Sequence, residues 1–243
     1  MRIPRVYSPQ TMEVDDRIEL EAGAVRHLIS ALRMSSGQQI TLFNGQGGQY
    51  CAELIEAKKS KATVIIKSFE AVEHESPLGI HLAIGISRGE RMDWIVQKAT
   101  ELGVSEITPL FTERCEVKLS GDRLEKKIIH WQQVAISACE QSQRNTIPEI
   151  NTALEFDQWQ SNCNASLKLV LHHRTESHLA DMPKPSGQIA LFIGPEGGLS
   201  KREIGKAIAQ GFQPLALGPR VLRTETAPLA AISILQSLWG DMG

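Results

Sequence analysis

The chain has 243 residues, 42% of them apolar, enough to bury a core as one large domain or two modest ones. Lysine and arginine total 26 against 28 aspartates and glutamates, a net charge of −2, so bulk charge gives no argument for nucleic acid and any such surface must be a local patch. Cys51, Cys115, Cys139 and Cys163 lie far apart without metal-type pairing, which suits reduced thiols. The opening "MRIPRVYSPQ" has no apolar h-region, and no stretch approaches the roughly 18 apolar residues of a membrane span. A soluble cytoplasmic protein is expected.

Residues 1 to about 75 read as short strands. "QQITLFNG" and "KATVIIKS" are apolar and β-branched, and "NGQGG" at 44–48 supplies turn chemistry before "QYCAELIEA". "GAVRHLISALRM" is the one helical-looking piece, and a small β-barrel is the natural packing. Polar "VEHESPLG" at 72–79 marks a boundary, which gives domains of 1–75 and 76–243. "IHLAIGIS" (80–87) then reads as a strand buried on both faces, and Met92, Ile95, Val96, Ala99 and Leu102 recur at helical spacing up to Gly103. "EITPLF" (106–111) is the next strand, and Leu124, Ile128, Trp131, Ala135 and Ala138 mark one face of a long helix. "LKLVLH", "QIALFIG" and "QPLALG" are further strands, and an apolar helix over roughly 227–239 closes the chain. This alternation predicts an α/β fold with a mainly parallel sheet covered by helices.

In such sheets ligands bind beyond the carboxyl ends of the strands. Three ends stand out: "LHHR" (171–174), "IGPEGGLS" (193–200) and "LGPRVLRTETA" (217–227). Gly194, Gly197 and Gly198 allow a sharp turn and close backbone approach, either for a ligand held by main-chain amides or for the turn alone. Ser200 and Glu203 fit a capping box that starts a helix at about Lys201. The glycines do not form G-x-G-x-x-G, the loop lacks a P-loop lysine, and Glu196 disfavours a phosphate, so a ligand with a neutral or positive part fits better. Thr224 or Thr226 can cap the last helix, which leaves Arg220, Arg223 and Glu225 as a surface pairing or as part of a rigid binding loop. His172 and His173 have no third ligand spaced for a metal, and no metal site is expected. Cys139 has no histidine arranged to activate it. "SACEQSQRN" (137–145) reads as a solvated helix end with Arg144 near the negative pole of the dipole. Arg2, Arg5, Arg26, Arg33, Lys58, Lys59 and Lys61 form either a basic face on the barrel or scattered surface charge.

Four ordered motifs, "RGERMDWIVQKATELGV" (88–104), "ACEQSQR" (138–144), "LFIGPEGGLS" (191–200) and "LGPRVLRTETA" (217–227), together resemble the ribosomal RNA small subunit methyltransferase E family, as does "MRIPRVY" at the start. The resemblance implies a SPOUT-class fold with a trefoil knot in its C-terminal part, a PUA-like or OB-like N-terminal barrel that helps grip RNA, and a homodimer. The implied activity is transfer of a methyl group from S-adenosylmethionine to uridine N3 in small-subunit (16S) rRNA, free or in its ribosomal particle. A methyltransferase acting on another RNA such as tRNA, and a non-catalytic RNA-binding assembly factor, are the alternatives. Carried over by motif, the cofactor walls are Leu171, Ile193, Gly194, Glu196, Gly198, Leu217, Gly218, Leu222, Arg223 and Thr226. Uridine N3 carries a proton and is a poor nucleophile until that proton leaves. The resemblance therefore points to Arg223 as the stabiliser of the uridylate charge, with Glu225 orienting it or accepting the proton. Arg2, Arg5, Arg26, Arg33, Arg88 and Arg144 are the candidate RNA contacts.

Overall fold

The structure, a computed structural model, describes residues 3–172, 175, 179 and 182–243. The chain forms two compact units, Met1–Glu75 with Cys139–Ile147, and Ser76–Ala138 with Pro148–Gly243. A single cut near residue 75 therefore misses a returning segment.

In the first unit, β1 (Arg5–Tyr7), β2 (Arg17–Glu19), β3 (Gln39–Phe43), β4 (Gln49–Lys58) and β5 (Lys61–Glu70) form a five-stranded sheet in the order β1-β3-β4-β5-β2. Only β1 and β3 pair in parallel. The period-2 pattern of β5 turns Ala62, Val64 and Ile66 inward, where they meet Ile40, Leu42 and Leu54. The predicted helix is α1 (Ala22–Val25) running into a π-helical turn at Arg26–Ala31, and it seats Leu28 in the same core.

Residues 139–147 join this unit through a polar knot of contacts rather than a solvated helix end. Glu75 accepts from Arg144 Nε (2.9 Å) and Nη2 (2.6 Å), and from the backbone N–H groups of Asn145 and Thr146 (both 3.1 Å). The Tyr7 N–H donates to Glu140 Oε1 at 3.0 Å. Arg144 is only 4% exposed, and a charge that deep needs such partners. Burial pushes the Cys139 thiol up to about 12, which keeps it protonated and unreactive.

The second unit opens with β6 (Ile80–Gly85), α2 (Glu90–Glu101), β7 (Glu106–Phe111) and α3 (Gly121–Ser142), whose last four residues belong to the first unit. It continues with β8 (Glu149–Ile150), β9 (Leu154–Glu155), α4 (Phe156–Asn162), β10 (Leu167–Leu171), β11 (Ile189–Ile193), α5 (Lys201–Ala209), β12 (Gln213–Leu215) and α6 (Thr226–Trp239). The sheet order is β12-β10-β11-β6-β7-β8, with β9 on β7, and every pairing is parallel. β6, apolar but for His81, and uniformly apolar β11 lie at its centre and are buried on both faces. Phe192 of β11 stacks on Phe156 of α4 with ring centroids 4.6 Å apart. On α6, Ala231, Ile232, Leu235 and Trp239 turn inward, while Ile234 and Leu238 remain exposed. Gln236 is buried and satisfied, donating to Leu102 O and accepting from Ser76 Oγ. Among the described residues no helix is long and apolar enough to cross a membrane.

The amino-terminal ends of β6 and β7 carry a polar network that is buried at His81 and Thr108 and reaches the surface at Gln188. His81 Nε2 lies 2.7 Å from Thr108 Oγ1, Asn151 Nδ2 donates to Thr108 Oγ1 and Glu106 Oε1, and Gln188 Nε2 donates to Glu106 Oε2. Burial pulls the His81 imidazole below its ordinary value, and Glu106 opposes that shift only in part. The unfolded chain therefore takes up this proton at higher pH than the folded one. Stability should be full above an unfolded value of about 6.5 and decline as pH falls below it. Thermal melts from pH 7.5 to 5 should show a steeper loss for the natural chain than for His81→Gln, and parallel curves would remove His81 from the account.

Candidate functional site

The carboxyl ends of β10, β11 and β12 converge on one cavity of about 1030 Å³, the upper end of the roughly 300–1,000 Å³ usual for ligand pockets. Leu171 closes β10 and lines it, beside His172. Ile193 and Gly194 lead from β11 into the loop that also brings Glu196 and Gly198 to the wall. Leu217, Gly218, Leu222 and Arg223 line it from the segment between β12 and α6. Thr226 is exposed and outside the wall, and its place is taken by Thr224.

The two loops are joined. The Thr224 hydroxyl donates to the Gly194 carbonyl at 3.0 Å, so neither threonine caps α6. The N-cap position is Glu225, and the N–H groups of Thr226 and Ala227 both reach back to the Arg223 carbonyl. On the other side the capping box forms as expected. Ser200 Oγ accepts from the Glu203 N–H (3.1 Å), and Glu203 Oε2 accepts from the Ser200 N–H (2.8 Å). Glu203 Oε1 also accepts from the Glu113 N–H at 2.8 Å, which ties the end of β7 to the start of α5.

Glycine is required at Gly194, where a Cβ would stand 2.8 Å from the Gly198 carbonyl carbon and 2.9 Å from the Leu199 nitrogen. At Gly197 the obstacle is Arg114, whose Nη1 donates to the Gly197 carbonyl. This close backbone packing shapes a wall with little side-chain bulk.

Glu196 accepts at Oε1 from the Arg88 backbone N–H and from Arg91 Nη1, both at 2.9 Å. Burial alone would raise this carboxyl. The N–H groups of Arg88 and of Glu196 itself, together with Arg91, outweigh it and hold Glu196 below its usual range. Glu225 lies between two guanidinium groups, 3.9 Å from Arg91 Nε and 4.0 Å from Arg223 Nη1. Arg91, Arg114, Lys201, Arg220 and Arg223 outnumber Glu196 and Glu225 along the wall, a local positive patch on a chain of net charge −2.

Of the candidate RNA contacts, Arg26, Arg33 and Arg88 are exposed, the last with its side chain paired to Glu116. Arg5 is engaged within the first unit, donating to Gln49, Asn145 and the Arg144 carbonyl and packing 4.3 Å from the Phe43 ring centroid. Arg144 is withdrawn as a contact, because its charge is buried on Glu75. Arg2 and His173 lie outside the described residues. Among the described residues no group of three or more His, Cys, Asp or Glu side chains is placed to hold a metal. Sequence reasoning missed Arg91 and Arg114. The available signal for Arg91 was a basic residue in the first turn of a helix, where the dipole disfavours it.

A model of the RNA methyltransferase domain matches residues 74–236, and one of the RNA methyltransferase PUA domain matches 20–67. The ribosomal RNA small subunit methyltransferase E of Buchnera aphidicola subsp. Schizaphis graminum is 38% identical over 242 residues, spanning 99% of this chain and 98% of that one. The Bacillus subtilis protein of the same name is 31% identical over 236 residues, 93% of this chain and 92% of that one. A putative methyltransferase from Legionella pneumophila, solved with S-adenosylmethionine bound, has a TM-score of 0.97 at 45% identity over 99% of this chain and 100% of that one. The Neisseria gonorrhoeae ribosomal RNA small subunit methyltransferase E, bound to the same molecule, has a TM-score of 0.94 at 40% identity over the whole of both chains. A domain model across most of the sequence, and relatives this similar from end to end, establish that the chain belongs to the ribosomal RNA small subunit methyltransferase E family.

Proposed function

We propose that the protein transfers a methyl group from S-adenosylmethionine to uridine N3 of small-subunit (16S) rRNA. The observation that carries this reading is the cavity at the three strand ends, with the ionised Glu196 in its wall and a positive patch around it. The residues fit the cofactor. Gly194 and Gly198 leave room for a nucleoside against main chain, and Glu196 complements a sulfonium. The relatives solved with S-adenosylmethionine bound support the same assignment.

When bound, the cofactor supplies an electrophilic methyl group. Leu171, Ile193, Leu217, Gly218 and Leu222 form its apolar and main-chain walls, and Arg223 stands where wall meets solvent. The target base must leave its stack to be reached. Arg223 stabilises the charge that spreads onto O2 and O4 as N3 loses its proton, and Glu225 orients Arg223 or accepts that proton. Positioning of base against methyl carbon supplies much of the rate. The positive wall and the exposed Arg26, Arg33 and Arg88 suit an RNA backbone. A trefoil-knotted C-terminal unit, a homodimer and a cytoplasmic location complete the reading, and the exposed Ile234 and Leu238 on α6 are consistent with a second copy there.

The test is methyl transfer from labelled cofactor to small-subunit particles, free 16S rRNA and tRNA, with mass mapping of the product. A methyl group on uridine N3 of the small-subunit RNA is expected. Label on tRNA instead would redirect the substrate, and cofactor binding with no transfer to any RNA would leave an assembly factor.

A further inference from the structure

Arg91 is the second residue of α2 and lines the cavity. A cation there faces the positive end of the helix dipole, so its position needs compensation. Two carboxylates provide it. Arg91 Nη1 donates to Glu196 Oε1 at 2.9 Å, and Nε lies 3.9 Å from Glu225 Oε2. The opposite oxygen of Glu225 is 4.0 Å from Arg223 Nη1. Four side chains of alternating sign, Glu196, Arg91, Glu225 and Arg223, thus run along the rim, contributed by the glycine loop, by α2 and by the loop before α6.

The burial of these groups is graded. The Arg223 side chain is 84% exposed, that of Arg91 47% and that of Glu225 23%. Exposed pairs of this kind add little to folding stability. They do set where charges point. With Arg91 in place, Glu225 has a cation on each side and does not depend on Arg223 alone. Without it, Arg223 becomes the one cation paired with Glu225 among the described residues, and Glu196 keeps only main-chain donors there.

We infer that Arg91 is a positioning residue for methyl transfer, holding Glu196 in the cofactor loop and sharing Glu225 so that the Arg223 guanidinium is presented to the target base rather than drawn onto the wall. The inference rests on the methyltransferase reading given above. It assigns Arg91 no contact with the reacting atoms, so its effect on the chemical step must pass through Arg223, while its hold on Glu196 is felt in cofactor binding. The guanidinium fork matters because it meets one carboxylate with Nη1 while turning Nε to the other. A lysine ammonium is a point charge and favours one carboxylate at a time.

The experiment uses the full chain with labelled S-adenosylmethionine and small-subunit particles, comparing Arg91→Ala, Arg91→Lys, Arg223→Ala and the double alanine variant. Arg91→Ala should lower kcat roughly 10- to 100-fold, the scale of a reacting group displaced by about 1 Å. Its cofactor Kd should stay within about fivefold of the natural chain, the scale of an exposed ion pair. Arg91→Lys should recover part of the lost kcat. On the Arg223→Ala background, removing Arg91 should cost less than about threefold, because the two losses share one route. Unchanged kcat in Arg91→Ala, losses that multiply in the double variant, or a drop in cofactor affinity that accounts for the whole effect would each overturn the proposal. A natural chain that binds cofactor but methylates no RNA would overturn the methyltransferase reading and this inference with it. Multiplying losses in an active enzyme would overturn the inference alone.

Discussion

Arg223→Ala is expected to slow single-turnover methyl transfer at saturating cofactor by about 100- to 1,000-fold, the usual cost of removing one donor that stabilises a developing oxyanion. The side chain is 84% exposed, so its loss opens no internal cavity and should change stability by less than about 0.5 kcal/mol. A melting curve and a cofactor titration close to those of the natural chain would show that the defect is chemical. Arg223→Lys should retain part of the activity, since the ammonium keeps the charge but not the planar fork. The rate of the alanine variant should also rise more steeply with pH than that of the natural enzyme, because hydroxide then does what the guanidinium no longer favours. A normal rate in Arg223→Ala with normal cofactor binding would end its assignment as a catalytic residue.

Gly194→Ala should abolish cofactor binding, with affinity reduced at least about 100-fold, or roughly 2.8 kcal/mol. The added methyl would stand 2.8 Å from the Gly198 carbonyl carbon and 2.9 Å from both the Leu199 nitrogen and Cγ. Two of those obstacles are backbone, so no side-chain rotation relieves them. The loop must move, and Thr224 must give up its 3.0 Å bond to the Gly194 carbonyl. Overpacking of this kind costs about 1–3 kcal/mol of stability, which a thermal melt would register. Isothermal titration of the purified variant with S-adenosylmethionine is the direct check. Wild-type affinity there would mean that the glycine loop does not form the cofactor wall.

Long periodic segments were legible before any coordinates. The apolar runs of β6 and β11, the helical spacing of Met92, Ile95, Val96 and Ala99, and the Ser200–Glu203 capping box all depend on neighbours within one turn or one strand. The short β8 and β9 and the helix α4 were not legible, because two residues carry no period and Phe156 and Trp159 serve an aromatic cluster set by Phe192 and Phe212. Residues 137–145 read as a solvated terminus for a related reason. The partner that neutralises Arg144 is Glu75, nearly seventy positions away, and no local pattern announces it.

The site divides in the same way. Nine of the ten residues that the family resemblance assigned to the cofactor line the cavity, and it was the ordered motifs rather than composition or spacing that singled them out. Thr226 gave way to Thr224 because the choice between adjacent hydroxyls depends on which one faces the Gly194 carbonyl. Arg91 emerged only from the fold, since a charge acquires its meaning from the charges brought against it. Composition and order of residues were enough to dictate the parallel sheet, the glycine loop and the apolar last helix, all consequences of short-range sterics and apolar periodicity. Convergence of three distant strand ends on one cavity, the pairing of Arg91 with Glu196 and Glu225, and the return of residues 139–147 were settled by tertiary packing. These are contacts between segments tens of residues apart, where Coulomb and hydrogen-bond energies depend on distances that no linear pattern encodes.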